Sequence, residues 1–125
     1  MTATTYTVVL LAESLPVGRV LDGVHLDVQR VYRAVAGDVE AGQPEVWTFL
    51  EFEVPAAHAT DLADRLAELL DPGAWYCDFR SDDEVFVVFS GHTFRYPRGD
   101  LDRRGEVERY GRSVGVPEAQ LDWPD

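Results

Sequence analysis

The chain contains no lysine, isoleucine or asparagine, so all 11 of its basic residues are arginine. These three residue types have AT-rich codons, and their absence is typical of a GC-rich bacterial genome rather than of a particular function. The 23 acidic residues outnumber the basic ones and give a formal net charge of −12. Because nucleic-acid-binding proteins need basic side chains to neutralise phosphates, this balance argues against nucleic-acid partners and against anionic membrane surfaces.

Cysteine and long apolar segments are equally scarce. Cys77 is the single cysteine and cannot form a disulfide within the chain, which is typical of a reducing compartment. The first residues lack the basic and apolar segments of a signal peptide. No apolar run approaches the roughly 20 residues that span a bilayer. We therefore expect a cytoplasmic protein without membrane partners.

Recognised spacings for metal and nucleotide binding are missing as well. The potential ligands His25, His58, His92 and Cys77 form neither a C-x-x-C nor an H-E-x-x-H pattern. The ten glycines form neither a G-x-G-x-x-G sequence nor a Walker sequence. We expect no metal, no cofactor and no catalytic residue, and the sequence favours a protein that is not an enzyme.

The length of 125 residues and the apolar content of 46 % are typical of one domain. Alternating apolar and polar residues predict strands, whereas apolar residues spaced by three or four predict helices. The predicted strands cover residues 6–11, 24–34, 45–54, 75–80, 84–90 and 93–96, and the predicted helices cover 57–70 and 101–114. This order predicts a single α+β domain over residues 1–125, a mostly antiparallel sheet of five or six strands with two helices packed on one face. We expect residues 118–125 to dock on this body.

Residues 24–34 fit two patterns. Val24, Val28 and Val31 recur at the helical spacing of three or four, but residues 24–28 also alternate between apolar and polar side chains. Because valine is restricted at χ1 and favours strands, we predict a strand here.

A two-residue turn at residues 82–83 determines which residues of the flanking strands share a face. With that register Cys77 lies on an apolar face, whereas the opposite face collects polar and aromatic side chains. The candidate ligand or interface residues on that face are Tyr76, Asp78, Arg80 and Tyr96. The face has three interpretations: a small-ligand pocket, a protein interface, or a second core face on which Tyr76 or Tyr96 donates a hydrogen bond to Asp78.

Trp47 and Phe49 are the other two candidate contact residues. They lie on the opposite face of their predicted strand from Phe52. Either the face with Trp47 and Phe49 or the face with Phe52 must therefore lie away from the helices. Exposed aromatic patches are uncommon on monomers, and two-fold pairing is the commonest way to cover one. We expect a homodimer, favoured by salt that screens repulsion between two acidic copies, with Trp47 or the Tyr76/Tyr96 face at its centre.

Three segments of the chain carry a resemblance. They read WYCDFRSDDEVFVVF at residues 75–89, FRYP at 94–97 and LDW at 121–123. Together they resemble a group of small uncharacterised bacterial proteins of the high-GC, actinobacterial-like kind. The resemblance implies a shared α+β domain and brings no activity, substrate or functional residue with it.

The sequence supports two functions of different classes. The acidic charge and the aromatic pair Trp47/Phe49 favour a non-catalytic protein-interaction module that binds a protein partner or a second copy of itself. The alternative is a small-molecule-binding protein or minor enzyme that uses the face carrying Tyr76, Asp78 and Tyr96. A cavity beside Asp78 would favour the alternative, and enclosure of Asp78 by core side chains would remove it.

Overall fold

Six strands form one antiparallel sheet in a computed structural model that describes residues 4–24, 26–37, 39 and 42–124. The strands are β1 (Thr5–Leu11), β2 (Asp27–Val35), β3 (Val46–Pro55), β4 (Tyr76–Arg80), β5 (Glu84–Phe89) and β6 (His92–Pro97), and the helices are α1 (Ala56–Leu69) and α2 (Leu101–Ser113). The strand order is β2-β3-β1-β4-β5-β6, so the first strand in sequence lies in the centre of the sheet. The α+β class, the antiparallel sheet and the two helices are confirmed.

The ambiguous segment at residues 24–34 is a strand from Asp27 onward, whereas Val24 and Leu26 lie outside strand β2. Strand β2 pairs with β3, and its register shifts at a β-bulge between Val28 and Arg30. The bulge adds one residue, so that Val28 opposite Phe52 and Val31 opposite Leu50 point to the same side. A helix-like spacing of three therefore occurs within a strand. His25 lies outside the described residues.

One face of the sheet packs against α1. The residues that form this first core are Tyr6, Val8, Leu10, Phe52, Val54, Ala59, Leu62, Ala63, Leu66, Leu70, Cys77, Phe79, Phe86 and Val88. The register of β4 with β5 places Cys77 opposite Val88 and Phe79 opposite Phe86, as the two-residue turn predicts. Helix α1 begins directly after Pro55, so β3 leads straight into the helix that covers its apolar face.

The other face of β4, β5 and β6 packs against α2 and the C-terminal segment, residues 114–124. The residues of this second core are Val85, Val87, Phe89, Tyr96, Val107, Val116, Leu121 and Trp123. The two helices therefore lie on opposite faces, and their expected packing on one face is wrong. The physical reason is β5, where every residue from Val85 to Phe89 is buried, so that both of its faces need a cover.

The C-terminal segment is tied to the sheet by specific hydrogen bonds, as its two large apolar residues predict. The Trp123 indole N–H donates to the Tyr96 hydroxyl at 2.7 Å, and the Arg104 guanidinium donates to the Trp123 carbonyl at 2.8 Å. The Tyr76 hydroxyl donates to the Gln120 carbonyl. Among the described residues, no helix is long and apolar enough to cross a membrane.

Candidate functional site

A groove of about 350 Å³ lies on the second face, where the C-terminal segment approaches β1 and β3. We call it the Asp78 groove. Its described lining residues are Val9, Leu11, Gly37, Trp47, Phe49, Ala74, Trp75, Tyr76, Asp78, Ala119, Gln120 and Asp122. The groove exists because the second core covers β4, β5 and β6, while Val9 and Phe49 on the neighbouring strands stay partly exposed.

Four aromatic side chains line this groove, Trp47, Phe49, Trp75 and Tyr76, and each packs against another ring within or beside it. The ring centroids of Trp47 and Trp75 are 5.7 Å apart, and those of Tyr76 and Trp123 are 5.5 Å apart in an edge-to-face arrangement. The Trp47 indole N–H donates to the Pro44 carbonyl at 2.8 Å, which fixes the orientation of the ring. The aromatic walls are therefore formed before any ligand arrives.

The rim of the groove is closed by a contact between segments that are distant in sequence. The side-chain amides of Gln43, in the β2–β3 hairpin loop, and Gln120, in the C-terminal segment, exchange hydrogen bonds of 3.3 and 2.9 Å. This pair joins the hairpin loop to the C-terminal segment.

Asp78 is a largely buried charged group in the lining of the groove. Its side chain is only 23 % exposed, and the closest guanidinium nitrogen of Arg80 lies 3.8 Å from its carboxylate. Burial raises the pKa of Asp78 to about 6, against the opposing effect of Arg80; Asp122 adds to the rise and Arg104 opposes it. The carboxylate is therefore ionised at neutral pH, although most of it is withdrawn from water.

Four of the six residues that the sequence singles out meet in this groove. Trp47 and Phe49 reach it from β3, and Tyr76 and Asp78 reach it from β4. Arg80 lies beside Asp78 and donates to the Pro124 carbonyl at 3.3 Å, outside the lining.

Tyr96 lies elsewhere. Its ring is buried in the second core, and its hydroxyl accepts the hydrogen bond from Trp123. Tyr96 is therefore not available on a surface at the centre of a dimer interface.

Sequence reasoning missed several lining residues, chiefly Trp75 and the C-terminal pair Gln120 and Asp122. Strict alternation assigns Trp75 to the face of Cys77, but Trp75 precedes β4, so alternation does not apply to it. The predicted docking of the C-terminal segment indicated that Gln120 and Asp122 lie against the sheet, but it did not identify the groove that they border.

Residues 111–115 read G-R-S-V-G and match the G-x-S-x-G pattern of a serine nucleophile, although the sequence reasoning assigned no catalytic role here. That pattern needs a serine on a sharp strand-to-helix turn. Here Ser113 is the last residue of α2, and its hydroxyl donates to the Tyr110 carbonyl at 2.6 Å. The local structure is therefore not a nucleophile elbow.

Other reactive groups are also engaged in packing. Burial raises the pKa of the Cys77 thiol, and the His92 ring stacks on Tyr110 at a centroid distance of 4.8 Å. Burial and the neighbouring Asp78 raise the pKa of the Tyr76 hydroxyl, so Tyr76 stays protonated at neutral pH. No group of three or more potential metal ligands occurs in the part of the chain that the structure describes. What the groove offers is an apolar, aromatic surface with carboxylates.

Comparison of the chain with models of protein families, with curated proteins and with solved structures finds no match. The function is therefore inferred from the groove itself.

Proposed function

We propose that the protein is a non-catalytic binding protein that holds a small ligand in the Asp78 groove. The observation that carries this proposal is the meeting of four aromatic side chains with a largely buried, ionised carboxylate. Ligand sites are typically clefts of roughly 300–1,000 Å³, apolar for the most part, with a few convergent polar groups. A groove of about 350 Å³ suits a ligand at the small end of that range.

A charged group in an apolar setting is unfavourable for folding unless something offsets it, and such groups concentrate at functional sites. Asp78 fits this description, because its pKa is raised by burial and its pairing with Arg80 is loose at 3.8 Å. A bound ligand that interacts with the carboxylate would offset this cost. Ligand binding therefore accounts for the buried carboxylate of Asp78, which packing alone does not.

The test obstructs the groove without disturbing the fold. Gly37 lines the groove, and a Cβ added there would meet no atom within 4 Å. Gly37→Phe adds a large side chain at the groove to obstruct ligand binding, and Gly37→Ala is the matched control that adds only a methyl group.

The three proteins are dialysed against a bacterial metabolite extract, and the retained compounds are identified by mass spectrometry. We expect the wild type and Gly37→Ala to retain a compound that Gly37→Phe loses. Equal retention by all three proteins, or no retention by the wild type, would contradict binding in the groove.

A second candidate function, a protein-interaction module in the cytoplasm, is favoured by the edge strand β2. Eight of the nine β2 residues are exposed, and among the described strands β2 pairs only with β3. The exposed apolar residues near this edge are Val28, Val31, Val35 and Val46. An exposed strand edge is a surface for pairing with another chain, and a second copy of this chain is the simplest partner.

Sedimentation in low and in high salt tests this second function. We expect a dimer that increases with salt, because salt screens the repulsion between two copies of charge −12. Val31→Arg should weaken the dimer, whereas Val17→Arg, at a fully exposed loop position, should not. A monomer at high concentration in both salts would exclude self-association, and equal effects of the two variants would exclude β2 as its site.

A further inference from the structure

We infer that the ligand of the Asp78 groove is a small organic cation, an amine or quaternary ammonium compound with apolar substituents. This inference rests on the proposed function, and it names the chemical class that the groove selects. Three features of the described residues carry it: the sign of the charges in the lining, the aromatic walls and the incomplete pairing of Asp78.

The charged side chains in the described lining are both acidic. They are Asp78 on β4 and Asp122 in the C-terminal segment. The nearest arginines are engaged at the side of the groove, where Arg80 donates to the Pro124 carbonyl and the Arg104 guanidinium lies 4.6 Å from the centroid of the Trp123 ring. An anionic ligand would face two carboxylates, whereas a cation would be attracted by both.

The walls suit an organic cation better than a hydrated metal ion. Trp47, Phe49, Trp75 and Tyr76 line the groove, and cations are attracted to the faces of aromatic rings. Aromatic cages of this type are the usual means of recognising quaternary ammonium groups. Hard metal ions require several oxygen ligands instead, and Val9 and Leu11 supply only apolar surface.

Asp78 has a loose ion pair with Arg80 and a hydrogen bond from its own backbone N–H, but no close cationic partner among the described residues. Its carboxylate is mostly buried, yet the closest Arg80 nitrogen is 3.8 Å away, beyond the range of a charge-assisted hydrogen bond. A ligand ammonium in the groove would supply that partner. The net charge of −12 also raises the concentration of cations near the surface and speeds their encounter with the groove.

The test uses three probes of the same shape and different charge. Choline is the cation, 3,3-dimethylbutan-1-ol is its neutral isostere and 3,3-dimethylbutanoate is an anion of similar size. Titration calorimetry should give choline an affinity at least about tenfold higher than that of the alcohol, with no binding of the anion. If the alcohol or the anion binds as tightly as choline, the inference that the ligand is a cation is wrong, but the proposal that the groove binds a small ligand still stands. If none of the three probes binds, the cation inference fails, and the Gly37→Phe retention experiment separately decides the proposed function.

Two charge variants separate a local contact from the general negative field. Asp78→Asn removes the groove carboxylate, and Asp64→Asn makes the same change in net charge on the exposed face of α1. We expect Asp78→Asn to weaken choline binding about tenfold and to leave the alcohol unaffected. Asp64→Asn should change neither affinity. An equal loss of choline binding in both variants would overturn the assignment of Asp78 as the contact.

Discussion

At the scale of single residues, Asp78 contributes unfavourably to folding at neutral pH. A carboxyl group whose pKa is higher in the folded state than in the unfolded state favours folding most when it is protonated. Burial raises the pKa of Asp78 from an ordinary 3.8 to about 6. The folded protein therefore binds more protons than the unfolded chain between these two values, and the stability from this residue is lost as the pH rises through about 6.

We predict that Asp78→Asn stabilises the protein at about pH 7.5, because an amide has no charge to desolvate. The interval from 3.8 to about 6 already includes the opposing effect of Arg80 and corresponds to a gain of about 1–3 kcal/mol. The gain should fall toward zero near pH 4, where the wild-type carboxyl is protonated. Urea unfolding at both pH values measures it, and a variant less stable than the wild type at pH 7.5 would contradict the account.

At the scale of elements, α2 and the C-terminal segment pack most closely at Gly111. A Cβ added at Gly111 would lie 2.8 Å from Leu121 and 3.6 Å from Phe89. A Cβ at Gly105 in the same helix would meet only the end of the Arg109 side chain at 3.5 Å. The two glycines are therefore a matched pair, one at a tight contact and one at an ordinary van der Waals contact.

We predict opposite signs for the two alanine variants. Gly105→Ala should raise the free energy of unfolding by about 0.5–1 kcal/mol, because alanine favours a helix more than glycine does. Gly111→Ala should lower it by about 1 kcal/mol, since overpacking outweighs that gain. Thermal or urea unfolding measures both. Equal stabilisation by the two variants would mean that the C-terminal segment does not pack on α2.

Trp123 is the main anchor of the C-terminal segment. It is 2 % exposed and bonded to Tyr96, and its ring contacts Arg104 and Tyr76. We predict that Trp123→Ala lowers the free energy of unfolding by about 3–5 kcal/mol.

The control for this variant is Leu101→Ala, at a residue that is 70 % exposed, which should change the free energy of unfolding by less than about 0.5 kcal/mol. Chemical denaturation compares the two variants. A small effect of Trp123→Ala would show that the segment is not docked in solution.

The elements themselves could largely be predicted from local sequence. Strand β3 follows from alternation, β5 follows from its apolar run, and the 82–83 turn correctly predicts which residues of β4 and β5 share a face. Strand β2 was harder, because the bulge after Val28 places Val28 and Val31 on one side and imitates helical spacing. The spacing of the apolar residues fits both a bulged strand and a helix, so spacing alone cannot distinguish the two structures.

At the scale of the whole molecule, the placement of the helices depends on contacts that local patterns do not contain. The unbroken apolar run from Val85 to Phe89 was a signal that both faces of β5 are covered. The groove could not be predicted in the same way. It needs the Gln43–Gln120 contact across 77 positions, and it needs α2 to cover only part of the second face.

The distribution of the three tryptophans allows a direct test of the central claim, that the Asp78 groove binds a small organic cation. Trp47 and Trp75 line the groove, whereas Trp123 is buried in the second core and bonded to Tyr96. The measurement is a choline titration followed by NMR, with the three indole N–H signals assigned by single Trp→Phe variants. The account predicts that the Trp47 and Trp75 signals shift with one common affinity while the Trp123 signal changes far less. Absence of any shift, or a shift confined to Trp123, would contradict it.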